Sequence, residues 1–395
     1  MQLAERMSRL GTETAFQVLA RAQALEAQGK NIVHLEIGEP DFDTPKHIRA
    51  AAAKALEKGY THYCNSQGIM PLRNEITKQM QKTRGVPVDP GRVIVTPGAK
   101  PIMFYSILAL LDRGDEAICP NPLYPIYESM VNFTGAKAVP LILREELDFR
   151  FDIDELKSLI TPRTKLLILN SPHNPTGSVL EETDIRAIAE IAQQHNFLIL
   201  SDEVYEYIVY EGKPFSIASL PGMLDRTILL HGFSKTYAMT GWRLGYAVMP
   251  PVLVEPVVRL ITNSVSCTAP FIQHAGIEAL TGPQDSVPAM TDEFKKRRDI
   301  IVDGLNQIPG INCRRPKGAF YVFPNVKGIG VDCQTLSDYL LNEAGVAVLP
   351  GTHFGRYGEG YVRLSYATSI ENIQKGLDRI AGAVKNIAKK SVRKK

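Results

Sequence analysis

The chain lacks the signatures of several common chemistries. No H-E-x-x-H, G-x-S-x-G, Walker A or dinucleotide-type G-x-G-x-x-G pattern occurs in its 395 residues, so zincin, nucleophile-elbow, P-loop and nicotinamide readings have no support. Its five cysteines, Cys64, Cys119, Cys267, Cys313 and Cys333, are odd in number and contain no C-x-x-C pair. That argues against a disulfide framework and a thiolate zinc site; no metal is expected, and idle thiols fit a cytoplasmic location. Long hydrophobic runs are also missing. The longest near-apolar stretch, 102–111, is far shorter than the ~20 residues that cross a bilayer, and residues 1–10 mix Glu5 with Arg6 and Arg9. No membrane partner is expected. The net charge of +3 comes from one end, where Lys385, Lys389, Lys390, Arg393, Lys394 and Lys395 stand without an acid, so the remaining chain is slightly acidic. These positives follow an amphipathic run (Ile370, Ile373, Leu377, Ile380, Val384, Ile387) and read as a solvated helix end; no nucleic-acid partner is expected.

What is present is the composition of a globular protein, 44% hydrophobic and 22% charged, with apolar runs at helix-sized intervals. Runs at 92–96, 116–119, 165–169, 197–200, 227–230 and 244–249 read as buried strands of a mostly parallel central sheet with helices on both faces, as at 101–111 and 182–194. Past Pro288 the rhythm changes to a long charged helix at 290–306, short runs at 319–323, 346–348 and 361–364, and a terminal helix. The expected fold is therefore α/β with a smaller α+β domain. The division is residues 1–45 joining the small domain, 46–285 forming the large domain and 286–395 the small one.

Ligands of open α/β sheets bind beyond the carboxyl ends of the strands, and four such ends here carry chemistry. The first run leads into Gly98-Ala99-Lys100 and a helix, where backbone N–H groups can close around a phosphate. The 165–169 run ends in Asn170-Ser171-Pro172-His173-Asn174-Pro175-Thr176-Gly177, offering the Asn174 amide or an ordinary Asn-Pro turn. The 197–200 run delivers Asp202 and, three residues on, Tyr205; helix capping is the plainer account of that Asp. The 227–230 run leads to Ser234-Lys235, an amine that is either a surface lysine or a desolvated nucleophile. Taken together, a phosphate cradle, an amide, a carboxylate and an amine match the needs of pyridoxal 5'-phosphate.

Gly38-Glu39-Pro40-Asp41-Phe42-Asp43-Thr44-Pro45, Asn174-Pro175-Thr176-Gly177, Ser201-Asp202-Glu203, Ser234-Lys235-Thr236 with Gly241-Trp242-Arg243-Leu244-Gly245, and Tyr361-Val362-Arg363-Leu364-Ser365 together resemble a class I aminotransferase of the aspartate aminotransferase superfamily. Within it the chain is most similar to prokaryotic-type aspartate aminotransferases. The resemblance implies fold type I, pyridoxal phosphate and a homodimer with shared active sites. By the same resemblance Lys235 would hold the cofactor aldehyde and move the proton, Asp202 would pair with the pyridine nitrogen, and Asn174 and Tyr205 would bind its phenolic oxygen. Tyr124 would stack on the ring. Gly98, Ala99, Ser234 and Arg243 would take the phosphate, with Lys100 beside it, and Tyr63 would reach the phosphate of the neighbouring subunit. Arg363 would clamp the substrate α-carboxylate, shared with Asn174 and the backbone at Gly38.

The implied reaction is ping-pong transfer of an amino group from an L-amino acid to a 2-oxo acid such as 2-oxoglutarate. Aspartate or glutamate is slightly favoured as donor, because Lys100 and the hydroxyls of Thr12 and Thr14 resemble groups that meet a distal carboxylate. Phe16 would equally suit an aromatic or aliphatic donor. The alternatives are an aromatic or broad-specificity aminotransferase, a C–S β-lyase on the same scaffold, and, least favoured, a non-catalytic regulator.

Overall fold

In the computed structural model, which describes residues 3–392 and the side chains of 3–387, the apolar runs of the middle of the chain become one seven-stranded sheet. After a two-residue β1 (Val33–His34), its strands are β2 (Val93–Thr96), β3 (Glu116–Asn121), β4 (Lys137–Ile142), β5 (Thr164–Asn170), β6 (Leu198–Asp202), β7 (Thr227–Gly232) and β8 (Gly245–Val248). They lie in the order β2-β8-β7-β6-β5-β3-β4, and only β8 runs antiparallel to its neighbours.

Both faces of the sheet are covered. Alternate residues of β5 divide between them: Leu166 and Ile168 pack with Ile102 and Ile107 of the helix Lys100–Leu110, whereas Leu167 and Leu169 pack with Ile185 and Ile188 of the helix Glu182–His195. Each of these side chains is fully or almost fully removed from water, which stabilises the fold by about 1.5–3 kcal/mol per residue. Strand β4 had no counterpart among the expected runs. It lies at the sheet edge, alternates in burial and carries Pro140, a residue an edge strand tolerates, so no continuous apolar run marks it.

The last third forms antiparallel strands β9 (Tyr321–Val322) and β12 (Val362–Ser365) with β11 (Leu349–Pro350), in the order β11-β12-β9. Of the run expected at 346–348, Val346–Ala347 forms β10, which pairs in parallel with β1, while β11 just beyond the run pairs with β12. Val33 and Leu35 of the N-terminal segment share a core with Phe294 and Ile301 of the helix Ser286–Asn306 and with Ile373 and Ile380 of the helix Ile370–Val392. Lys389, Lys390, Arg393, Lys394 and Lys395 of the basic end lie outside the described side chains. No helix among the described residues is long and apolar enough to cross a membrane.

Candidate active site

Strand register brings the chemistry to one line. Asn170 on β5 is paired with Asp202 on β6, Asp202 is paired with Leu230 on β7, and β7 ends at Gly232, from which a short helix, Phe233–Thr236, carries Ser234 and Lys235. These carboxyl ends face β12, which brings Arg363, across a cavity of about 520 Å³. Gly38, Ala99, Lys100, Tyr124, Asn174, Asp202, Tyr205, Ser234, Lys235, Arg243 and Arg363 all line it.

Lys235 is half-buried, and its ammonium donates to the Gly38 carbonyl at 2.5 Å. No carboxylate forms an ion pair with it among the described residues. Desolvation therefore dominates and brings its pKa down to about 8, against the opposing pull of Glu39 and Glu13. Asp202 is buried at the cavity floor, accepting from the Tyr127 hydroxyl and, at 3.1 Å, from the Val204 N–H. It too has no cationic partner in contact, and burial raises its carboxyl to about 6 despite those two donors. A cationic ring nitrogen set against it would reverse that shift.

Next to the cavity, the loop after β2 closes on itself, with the Thr96 hydroxyl donating to the Gly98 carbonyl at 2.6 Å. Gly98 has φ +91°, and a Cβ there would lie 2.2 Å from the Arg243 guanidinium, so glycine lets that cation rest on the backbone. Arg243 donates only to the Thr240 carbonyl, at 2.8 Å, and forms no ion pair with a described carboxylate. With the Ser234 hydroxyl and the start of the helix Lys100–Leu110 beside it, this end of the cavity suits a phosphate.

Arg363 is buried and donates to Asn174 Oδ1 at 3.1 Å and to the Glu36 carbonyl, while its Nε has no partner among the described residues. Tyr321 and Phe354 lie 4.6 and 5.0 Å from it, so the guanidinium is held between rings with hydrogen-bonding capacity unspent. The Asn174 N–H donates to Asn170 Oδ1 at 2.8 Å, which anchors the loop.

Several placements differ from the sequence reading. Thr14 does not line the cavity: it heads the helix Ala15–Glu26, while Glu13 just before it and Ala15 and Phe16 of the first turn face the site. Lys100 already has a counter-ion: its ammonium donates to Glu13 Oε2 at 2.5 Å, and the Tyr124 hydroxyl donates to the same oxygen at 2.9 Å. Gly98 supports Arg243 without lining the cavity. Tyr63, expected to serve the neighbouring subunit, is 89% exposed and does not line this one, which leaves that expectation as it stood. Tyr127, Asn170, Glu13 and Tyr321 are site residues the sequence reading did not single out. Tyr321 shares a hydroxyl–hydroxyl contact of 2.8 Å with Tyr205 and leaves no room for a Cβ at Gly38.

Among the described residues one group of His and carboxylates has metal-ligand proximity: Glu203, Glu206 and His231. The Arg84 guanidinium already sits in it, donating to Glu203 and to His231 Nε2 at 2.7 Å each and to Glu206. That cation compensates the carboxylates and holds Glu203 down to about 2 against burial.

Known proteins share the sequence pattern and the fold. Residues 30–380 match the family described as aminotransferase class I and II. The chain is 41% identical to the aromatic-amino-acid aminotransferase 2 of Thermococcus litoralis over 98% of its length and 99% of that protein. It is 43% identical to the aspartate aminotransferase of Pyrococcus abyssi over 89% of its length and 91% of that protein. The crystal structure of the aspartate aminotransferase from Rhizobium meliloti superposes with a TM-score of 0.93 at 38% identity, covering 98% of this chain and 99% of that one. With the parallel sheet, the amine and carboxylate at its strand ends and the arginine facing them, the chain belongs to the class I and II aminotransferases of fold type I.

Proposed function

We propose that the protein is a pyridoxal 5'-phosphate-dependent aminotransferase that exchanges amino groups between an L-amino acid, aspartate or glutamate ahead of aromatic donors, and a 2-oxo acid such as 2-oxoglutarate. The observation that carries this reading is that the Lys235 amine and the Asp202 carboxylate, neither paired with an opposite charge, face one cavity with Arg363. The cofactor fits the residues present: Arg243 and Ser234 suit its phosphate, Asp202 its ring nitrogen, Tyr205 and Asn174 its phenolic oxygen, Tyr124 its ring and Lys235 its aldehyde. When bound, pyridoxal phosphate supplies an electron sink for the substrate Cα–H electrons. Asp202 maintains positive charge at the ring nitrogen, and Lys235, neutral for part of the time near pH 8, takes and returns the Cα proton. Arg363 holds the α-carboxylate and so orients the Cα–H toward Lys235.

A panel of amino donors with 2-oxoglutarate tests the function. Acceptor-dependent release of 2-oxo acids is expected, with aspartate or glutamate turned over fastest. Ammonia and pyruvate formed from a cysteine conjugate without acceptor would indicate a C–S lyase. The relatives support a dicarboxylic donor through the Pyrococcus aspartate aminotransferase, and an aromatic one through the Thermococcus enzyme.

We further propose a cytoplasmic homodimer in which Tyr63 completes the neighbour's phosphate site, with domains divided at residues 45 and 285. The exposure of Tyr63 supports the sharing, the five unpaired cysteines support the location, and the β1–β10 pairing supports assigning the N-terminal segment to the small domain. Tyr63→Phe should weaken cofactor retention, and mixing it with Lys235→Ala subunits should restore tight retention in hybrids that have one intact site. Absence of restoration after verified subunit exchange would rule out sharing.

A further inference from the structure

The contact between Glu13 and Lys100 places an internal carboxylate on the wall that the cavity shares with a second one, beside Tyr124. Lys100 is the cation there, its side chain 45% exposed, and Glu13 Oε2 accepts from both its ammonium and the Tyr124 hydroxyl. A second carboxylate brought to Lys100 by a dicarboxylic substrate would put two negative charges around one ammonium, an arrangement that repels unless one leaves. A neutral side chain creates the opposite need, because a partly desolvated ammonium without a counter-ion is unfavourable.

The backbone that carries Glu13 lies outside regular structure. Residues 11–13 have no helical or strand hydrogen bonding, and the segment is tied mainly by the Gly11 N–H donating to Ser129 Oγ at 2.8 Å and by Arg9 donating to the Asn132 carbonyl at 3.1 Å. It also has somewhere to go. A second cavity of about 780 Å³ shares Glu13, Phe16, Lys100 and Met103 with the first, so these side chains form the partition between the two.

We propose that Glu13 is an exchangeable counter-ion of Lys100: it pairs with the ammonium while a neutral side chain occupies the cavity and swings out when a substrate's distal carboxylate takes its place. One site thereby accepts a neutral amino donor and a dicarboxylic 2-oxo acid in alternate half-reactions without leaving Lys100 unpaired in either. The inference rests on the aminotransferase reading above, with Arg363 holding the α-carboxylate.

Binding of two unreactive ligands to the holoenzyme, measured by calorimetry, tests it. Succinate carries both carboxylates; 3-phenylpropionate carries one and a phenyl ring. In Glu13→Gln, succinate should bind about tenfold more tightly, because no internal carboxylate competes, while 3-phenylpropionate should change less than about threefold, in the unfavourable direction. Glu13→Ser serves as the second variant should Glu13→Gln prove unstable, with the same expectation. Lys100→Met should remove the preference for succinate. Succinate affinity unchanged or weakened in both Glu13 variants, or equal changes for the two ligands, would overturn the exchange. Arg363→Lys separates the two levels: it should weaken both ligands by about tenfold or more. If it does so while the Glu13 variants change nothing, the exchange fails and the aminotransferase site stands; if it weakens neither, both fail.

Discussion

Replacing Lys235 by alanine should abolish the visible absorption band of the cofactor-loaded protein and lower turnover on the order of ten-thousandfold, the upper range for loss of an acid–base group. Lys235 is the amine that the end of β7 delivers into the cavity with Asp202 at its floor. An unchanged band in the variant would remove the assignment. The same lysine predicts a pH signature. Its pKa of about 8, lowered by desolvation, lies below the ordinary 10.5, so the neutral amine grows in as pH rises through about 8. Covalent uptake of the aldehyde by the apoprotein, trapped by borohydride, should accelerate over that range. A native ammonium held in a desolvated cavity also costs stability below pH 8. The apoprotein of Lys235→Met should therefore melt above the unmodified apoprotein at pH 7, and the gap should close as pH rises from 8 toward 10.5. A gap independent of pH would show that packing, not charge, sets it.

Asp202→Ala should still bind the cofactor through Arg243 and Lys235 but lose turnover by about a thousandfold, the scale of removing one preorganised electrostatic group. The carboxylate is buried, accepts from Tyr127 and the Val204 N–H, and has no cation in contact with it among the described residues. Burial outweighs those donors and pushes it up to about 6, so between its ordinary 3.8 and about 6 the folded apoprotein holds a proton that the unfolded chain releases. Its contribution to apoprotein stability is therefore most favourable below about pH 4 and declines as pH rises through 6. A cationic ring nitrogen removes that liability, so the cofactor should raise the melting temperature more at pH 7.5 than at pH 5 in the unmodified protein. In Asp202→Ala that difference should shrink. Near-normal kcat in the variant would exclude the role, as would a pH-dependent gain as large as that of the unmodified protein.

The buried strands and the residues at their ends were legible in the sequence because a parallel strand covered on both faces must be apolar along its whole length. The first polar residues after it then stand at the mouth of the sheet. Asp202 after 197–200, Asn174 in the loop after 165–169 and Lys235 beyond 227–230 lie where that rule directs attention, while their expected roles, and that of Arg363, came from the family resemblance. The edge strand Lys137–Ile142 escaped the rule because only Val139 and Leu141 of its six residues are buried and Pro140 interrupts it.

What required the tertiary structure was the choice between neighbours and the pairing of distant groups. Whether Thr14 or Glu13 enters the cavity depends on where the helix Ala15–Glu26 begins relative to the sheet, a one-residue difference that composition does not encode. That Lys100 is met by an acid from the N-terminal segment, and Tyr205 by Tyr321 from the small sheet, depends on how separate elements pack. The sequence by itself determined which chemical groups the protein carries and that its central strands deliver them to one edge, since burial periodicity is local. Only the packing of remote segments decided which of those charges already have partners, because a Coulomb interaction depends on distance in space and not along the chain.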